Sequence, residues 1–163
     1  MKKDVIDMVV EIPFRSRNKY ETDEKTGRLK LNRVLYSAMG YPTEYGIVPD
    51  TLAGDGDPLD ILVIATEPTY PGCIVPARVV GYLEMYDDGK EDCKLISVVD
   101  SDPRYNEIHE LGDIPEFTLE EIQNFFENYK QLENTKVEVG DYFSKEEALK
   151  LIKECQERYL NSK

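Results

Sequence analysis

Apolar positions in residues 1–99 come in short runs, some alternating with polar ones, and each run ends at a proline, a glycine or an acidic turn. Residues 5–12, Val-Ile-Asp-Met-Val-Val-Glu-Ile, predict a strand stopped by Pro13. A second strand starts over 18–21, a turn follows at 23–27, and residues 28–35 resume with mostly period-two alternation, which reads as a hairpin. Residues 41–46 carry Pro42 and Gly46 and predict a loop leading to the short apolar Ile47-Val48. The run 59–65 is apolar and rich in β-branched side chains, the signature of a buried strand. After a turn at 68–72, residues 74–86 predict a long strand with bends at Pro76 and Gly81. Asp87-Asp88-Gly89-Lys90 is a hairpin signal, and 93–99 is the returning strand.

The period then changes. Thr118-Leu119-Glu120-Glu121 and Ser144-Lys145-Glu146-Glu147 both have the form of a capping box. The first opens a helix with Ile122, Phe125, Phe126 and Tyr129 on one face, the second a helix carrying Ala148, Leu151, Ile152, Cys155 and Tyr159. Strands followed by two amphipathic helices predict an α+β chain, mainly β, in which a small barrel or curled sheet is packed by the helices. With 163 residues, no repeat and no linker, residues 1–163 are expected to form a single domain.

Charge narrows the function. Lys and Arg number 20 against 33 Asp and Glu, a formal net charge of −13, which disfavours nucleic acid and anionic membranes as partners. No apolar run approaches a membrane span, and Met1-Lys2-Lys3-Asp4 opens without the apolar stretch of a signal peptide. Cys73, Cys93 and Cys155 are odd in number and widely spaced, so reduced thiols in a cytoplasmic protein are expected. A single histidine, His109, excludes His-clustered zinc, and no partner motif beside it suggests a Ser-His-Asp triad.

The chemistry concentrates at Asp55-Gly56-Asp57-Pro58-Leu59-Asp60, three carboxylates just ahead of the buried strand. So close together they repel one another and call for a cation, and an all-oxygen set selects Mg²⁺, Mn²⁺ or Ca²⁺. Read alone, the stretch fits an acidic surface turn as well as a metal site. An EF-hand counted from Asp55 fails, with Leu59, Asp60 and Thr66 at its fifth, sixth and twelfth positions. A phosphate-binding glycine loop fails too, since no Gly-Lys-Ser/Thr follows. A second acidic group, Asp87, Asp88 and Asp92 followed by Lys94, reads by itself as a charged hairpin tip.

Taken in order, the hexapeptide with Glu11-Ile12-Pro13, Lys19-Tyr20-Glu21, Arg33, Tyr41-Pro42, Tyr45-Gly46, Asp87-Asp88, Glu91-Asp92-Cys93-Lys94 and Phe125-Phe126-Glu127-Asn128-Tyr129-Lys130 resembles the soluble family I inorganic pyrophosphatases over nearly the whole chain. The resemblance implies a five-stranded OB-type β-barrel with flanking C-terminal helices. It implies Mg²⁺-dependent hydrolysis of pyrophosphate to two orthophosphates by a metal-activated water, with several Mg²⁺ per subunit and Mn²⁺ as a substitute. Asp55, Asp60 and Asp92 would hold the tightest metal, with Asp60 shared by a second. Asp87 and Asp92 would bind a further metal arriving with substrate, Asp88 belongs to the same metal set, and Glu11 and Glu21 would act through water. Asp57 would be the general base, and Lys19, Arg33, Tyr45, Lys94, Tyr129 and Lys130 would hold the phosphates. A homohexamer is implied in the same way, although Asn124 and Asn128 stand where some bacterial members carry histidines at a subunit contact, Asp88 stands where Glu is frequent, and the loop from Pro13 to Lys19 is short. A noncatalytic oligonucleotide-binding barrel would need a basic groove with stacking aromatics. A Ca²⁺-binding structural module would leave the Lys, Arg and Tyr set unused.

Overall fold

Five strands close on one another in a ring. In the computed structural model, which describes residues 2–23 and 25–163, β1 (Val5–Ile12) runs antiparallel to β4 (Glu44–Ile47), and β4 antiparallel to β5 (Asp60–Ile64). β5 lies parallel to β8 (Lys94–Val99), β8 antiparallel to β6 (Ile74–Asp87), and β6 closes the ring antiparallel to β1. Outside it, β2 (Asn18–Thr22) and β3 (Leu29–Val34) form a separate two-stranded ribbon, β7 (Lys90–Glu91) folds back on the end of β6, and β9 (Val137–Ser144) adds to the other side of β6. Two helices, α1 (Glu116–Asn128) and α2 (Lys145–Asn161), complete the expected α+β architecture around the five-stranded barrel.

Neighbouring residues on the barrel strands enter two apolar layers, which is why the central strands read as unbroken apolar runs. Leu62, Ile96, Leu83 and Met85 pack with Ile122, Phe125 and Phe126 of α1. Ile61, Val63, Leu95 and Val79 pack with Ala148, Ile152 and Cys155 of α2. Ser144 caps α2 as its capping box predicts, accepting a hydrogen bond from the Glu147 amide.

Four expectations need correction. Residues 44–47 are a strand and not part of a loop: Gly46 is there because a Cβ would stand 2.0 Å from the Val9 carbonyl oxygen of β1, so close strand pairing demands a residue that reads as a turn former. β9 went unread and lies between the helices, so the order is not simply strands and then helices. α1 begins at Glu116 behind Pro115, placing Thr118 inside the first turn and not at its cap. The register of β6 shifts between Val79 and Gly81, as the glycine predicts, but runs unbroken past Pro76 against β1. Glu24, within the predicted turn 23–27, and Met1 lie outside the described residues.

Candidate active site

The parallel pairing of β5 with β8 puts Asp60 directly beside Lys94. The Lys94 ammonium, on a residue only 1% exposed, lies 2.6 Å from Asp60 Oδ2, 2.9 Å from Asp92 Oδ2 and 3.3 Å from the Tyr45 hydroxyl. Burial alone would lower its pKa, but Asp60, Tyr45 and Asp92 together hold it well above the ordinary lysine value. A buried cation between two carboxylates fixes one end of a cleft of about 640 Å³.

Beside it stands the acidic turn. Its backbone is tied to itself by Ala53 N to Asp57 O (2.7 Å) and Gly56 N to Ala53 O (3.1 Å), with Gly56 at φ +90°, where a side chain would be strained. Asp55 Oδ1 accepts a hydrogen bond from the Asp57 amide, an Asx turn that fixes the two carboxylates relative to each other. The buried Thr51 hydroxyl donates to Val48 O and accepts from Leu59 N, riveting the turn to the barrel. Thr51 escaped sequence reading because only the folded loop brings it to Leu59.

The opposite wall comes from three elements. The register of β1 slips between Val10 and Ile12, and Glu11 at that irregularity turns into the cleft. The β6–β7 hairpin supplies Asp87 and Asp88, the latter in left-handed backbone at φ 52° beside Gly89 at φ 81°. The C-terminal end of α1 delivers Tyr129 and Lys130, and Lys130 forms a close ion pair with Asp87. Tyr41 and Tyr45, 5.1 Å apart, form the aromatic floor and pack on toward Phe125 and Tyr129. Burial keeps the Tyr45 and Tyr129 phenols above their ordinary pKa, so both remain hydrogen-bond donors.

Among the described residues eight carboxylates line this cleft against four lysines. Burial and neighbouring charge act on four of them. Burial, with Asp60 alongside, pushes Glu11 up to about 7. Burial likewise raises Asp55, with Asp92 and Asp57 adding to the effect. Asp60 moves up through burial and Asp92 moves down, pulled by Lys94, so a proton shared between them rests on Asp60. An all-oxygen donor set short of positive charge fits a hard divalent cation. Among the described residues no three carboxylates are drawn together closely enough to enclose an ion by themselves. Lys94 fills the gap between Asp60 and Asp92.

Of the residues singled out in the sequence, Glu11, Lys19, Glu21, Tyr45, Asp55, Asp57, Asp60, Asp87, Asp88, Asp92, Lys94, Tyr129 and Lys130 all line the cleft. Arg33 does not: its Nε lies 2.8 Å from Glu133 Oε1 and its Nη1 donates to Asn32. Tyr41, Thr22 and Lys90 also line the cleft and had no role assigned. His109 is exposed and meets its neighbours through its backbone: its amide donates to Asp113 and its carbonyl accepts from Lys145.

Comparison with known proteins identifies the family. The family model for inorganic pyrophosphatase matches residues 8–160. An inorganic pyrophosphatase of Geobacillus stearothermophilus is 52% identical over 98% of this chain and 96% of its own length. One from Halalkalibacterium halodurans is 54% identical over 95% of each chain. The crystal structure of the Thermus thermophilus inorganic pyrophosphatase superposes with a TM-score of 0.93 at 46% identity, covering 96% of this chain and 91% of that one. With its closed five-stranded barrel and carboxylate–lysine cleft, the chain belongs to the inorganic pyrophosphatase family.

Proposed function

We propose that this chain hydrolyses inorganic pyrophosphate to two orthophosphates with Mg²⁺, Mn²⁺ serving as a substitute. The observation that carries the reading is the excess of carboxylate in a cleft that also holds four lysines and the Tyr45 and Tyr129 hydroxyls. A multiply charged anion enters such a cleft only with divalent cations, and it then finds donors waiting. Asp55, Asp60 and Asp92 would hold the first ions. Asp87 and Asp88, with Glu11 and Glu21, would complete the shell. Bound Mg²⁺ supplies neutralisation of phosphate charge and Lewis acidity toward the phosphoryl oxygens.

The chain's own groups do the rest. Asp57, exposed on the rigid turn, accepts the proton of the attacking water at its carboxylate. Lys94, Tyr45 and Tyr129 hold the phosphoryl group under attack against the cleft floor. Lys19, Lys130 and Arg33 meet the charge that develops as the bridging P–O bond breaks. Lys130 already neutralises Asp87 and can exchange that partner for a phosphate oxygen. The same acidic excess weighs against an oligonucleotide as occupant.

The reading extends to a homohexamer in the cytoplasm. Tyr36, Tyr70, Ile74 and Phe117 expose apolar surface that an assembly would cover, and sedimentation of the purified chain tests this. The three free cysteines suit a reducing compartment. The deciding assay is phosphate release from pyrophosphate in Mg²⁺ and in EDTA. Release only with Mg²⁺ is expected, and no release in either, or equal release in both, overturns the reading.

A further inference from the structure

We propose that Glu133 is the positioning residue for Arg33, holding the β2–β3 ribbon and its guanidinium at the rim of the cleft where a phosphate of the substrate is met. The inference rests on the pyrophosphatase reading for the identity of the anion and on separate geometry for the role of Glu133.

An isolated two-stranded ribbon is marginally stable in water. This one buries little: β3 is exposed along nearly its whole length, and β2 is half-buried only over Asn18, Lys19 and Tyr20. It also places Lys19 directly opposite Arg33, and like charges facing each other across a strand pair are destabilising. Each therefore needs a counter-charge. Lys19 has Glu21 at 3.7 Å, a loose partner on the same strand. Arg33 has Glu133 at 2.8 Å, a partner from outside the ribbon.

Glu133 closes a short 3-10 turn, Gln131–Glu133, that leaves the end of α1 directly after Lys130. Asn134 stops the turn in left-handed backbone at φ 56°. The turn that gives Lys130 to the cleft thus gives Glu133 to Arg33, so both cations are set from one support. The Arg33 and Glu133 side chains are 24% and 12% exposed. Although Nε and Oε1 are close, their alignment is off the N–H axis, and Arg33 Nε and Glu133 Oε2 make no hydrogen bond.

A guanidinium this near a carboxylate ordinarily settles into a two-pronged fork. Here the pair is close but not forked. Charge holds Arg33 beside Glu133 with Nη1 donating to Asn32 and Nε making no hydrogen bond among the described residues, so the fork that a phosphate would take is only partly engaged. Leaving buried hydrogen-bonding capacity unused costs stability, a cost that recurs at functional sites.

The test uses methylenediphosphonate, which cannot be hydrolysed at its bridge, titrated calorimetrically in Mg²⁺ into the wild type, Glu133→Gln, Arg33→Ala and the double variant. Glu133→Gln keeps size and hydrogen-bonding capacity while removing the charge. It is expected to weaken analogue binding by about tenfold, the scale of one charge-assisted hydrogen bond, and to raise KM for pyrophosphate in parallel. On the Arg33→Ala background the same change should cost less than twofold, and Glu133→Asp should recover part of the wild-type affinity. Wild-type affinity in Glu133→Gln overturns the proposal. So does a loss that repeats in full without Arg33, for Glu133 is then structural only. A wild type that binds the analogue but releases no phosphate from pyrophosphate defeats the functional reading alone, since coupling between Glu133 and Arg33 is still decided by the titrations.

Discussion

Removing the buried ammonium at the heart of the cleft should cost more than any other single charge change in the chain. Lys94→Met keeps an unbranched apolar stem but removes the ammonium that lies over the Tyr45 and Phe126 rings and leaves Asp60 and Asp92 facing each other. Stranding one partner of a buried ion pair costs about 3–5 kcal/mol. The low end applies here, because Asp60 is already pushed toward its protonated form by burial and can share a proton with Asp92. A loss of about 3 kcal/mol lowers the melting temperature of a domain this size by roughly 6–12 °C.

Melting followed by circular dichroism in EDTA reads this directly. Lys90→Met provides the control, for it removes the same charge from an exposed position in the same cleft and should shift stability by no more than about 0.5 kcal/mol. Mg²⁺ should restore part of the Lys94→Met loss by giving the carboxylates another cation, with the stabilisation growing with concentration as for any ligand of the native state. If Lys94→Met melts within a degree or two of Lys90→Met in EDTA, the charge argument for the site is wrong.

Three further outcomes are expected. Phosphate release should stop in EDTA and return with Mg²⁺ but not with Ca²⁺, whose longer and more numerous bonds misplace the reacting groups; equal turnover in Ca²⁺ would contradict this. Asp55→Asn should shift activity toward higher Mg²⁺ and recover there in part, whereas Asp57→Asn should bind analogue normally and lose about 10²–10⁴ in kcat at any Mg²⁺; rescue of Asp57→Asn by Mg²⁺ would refute its role as base. Gly46→Ala should destabilise the chain by at least about 2 kcal/mol, because the new methyl group meets the Val9 carbonyl and neither strand can withdraw; an unchanged denaturant midpoint would show that it can.

What was legible in the chain follows from where each signal resides. The 59–65 run announces its strand because both faces are buried, and Ser144 announces its helix because the cap and its partner amide lie three residues apart. β4 was hidden by tertiary demands: Gly46 serves a close strand approach, and Glu44, fully buried with Oε1 accepting from the Thr69 amide at 2.6 Å, looks like a surface residue in sequence. β9 is half-buried and interrupted by Gly140, whose Cβ would collide with Glu84, so its alternation is broken where it packs against β6. The acidic turn could be read from neighbours in sequence. The ion pair of Arg33 with Glu133 could not be read, since nothing local links a strand residue to the end of a distant helix.

The pairing of Asp60 with Lys94 shows how fully the chemistry depends on strand register. The two residues are 34 apart in sequence and meet only because β5 and β8 run parallel, a pairing that requires the chain to cross over and return. β6, hydrogen-bonded to β8, makes that return. A slip of one residue between β5 and β8 would reverse the faces, move Lys94 out of register with Asp60 and strip Asp60 of its cation. Leu95 and Ile96, buried in opposite layers immediately after Lys94, resist that slip because each would exchange its packed environment for the other's. The apolar core therefore does more than stabilise the barrel: it sets the separation of the charges of Asp60, Asp92 and Lys94 at the end of the cleft.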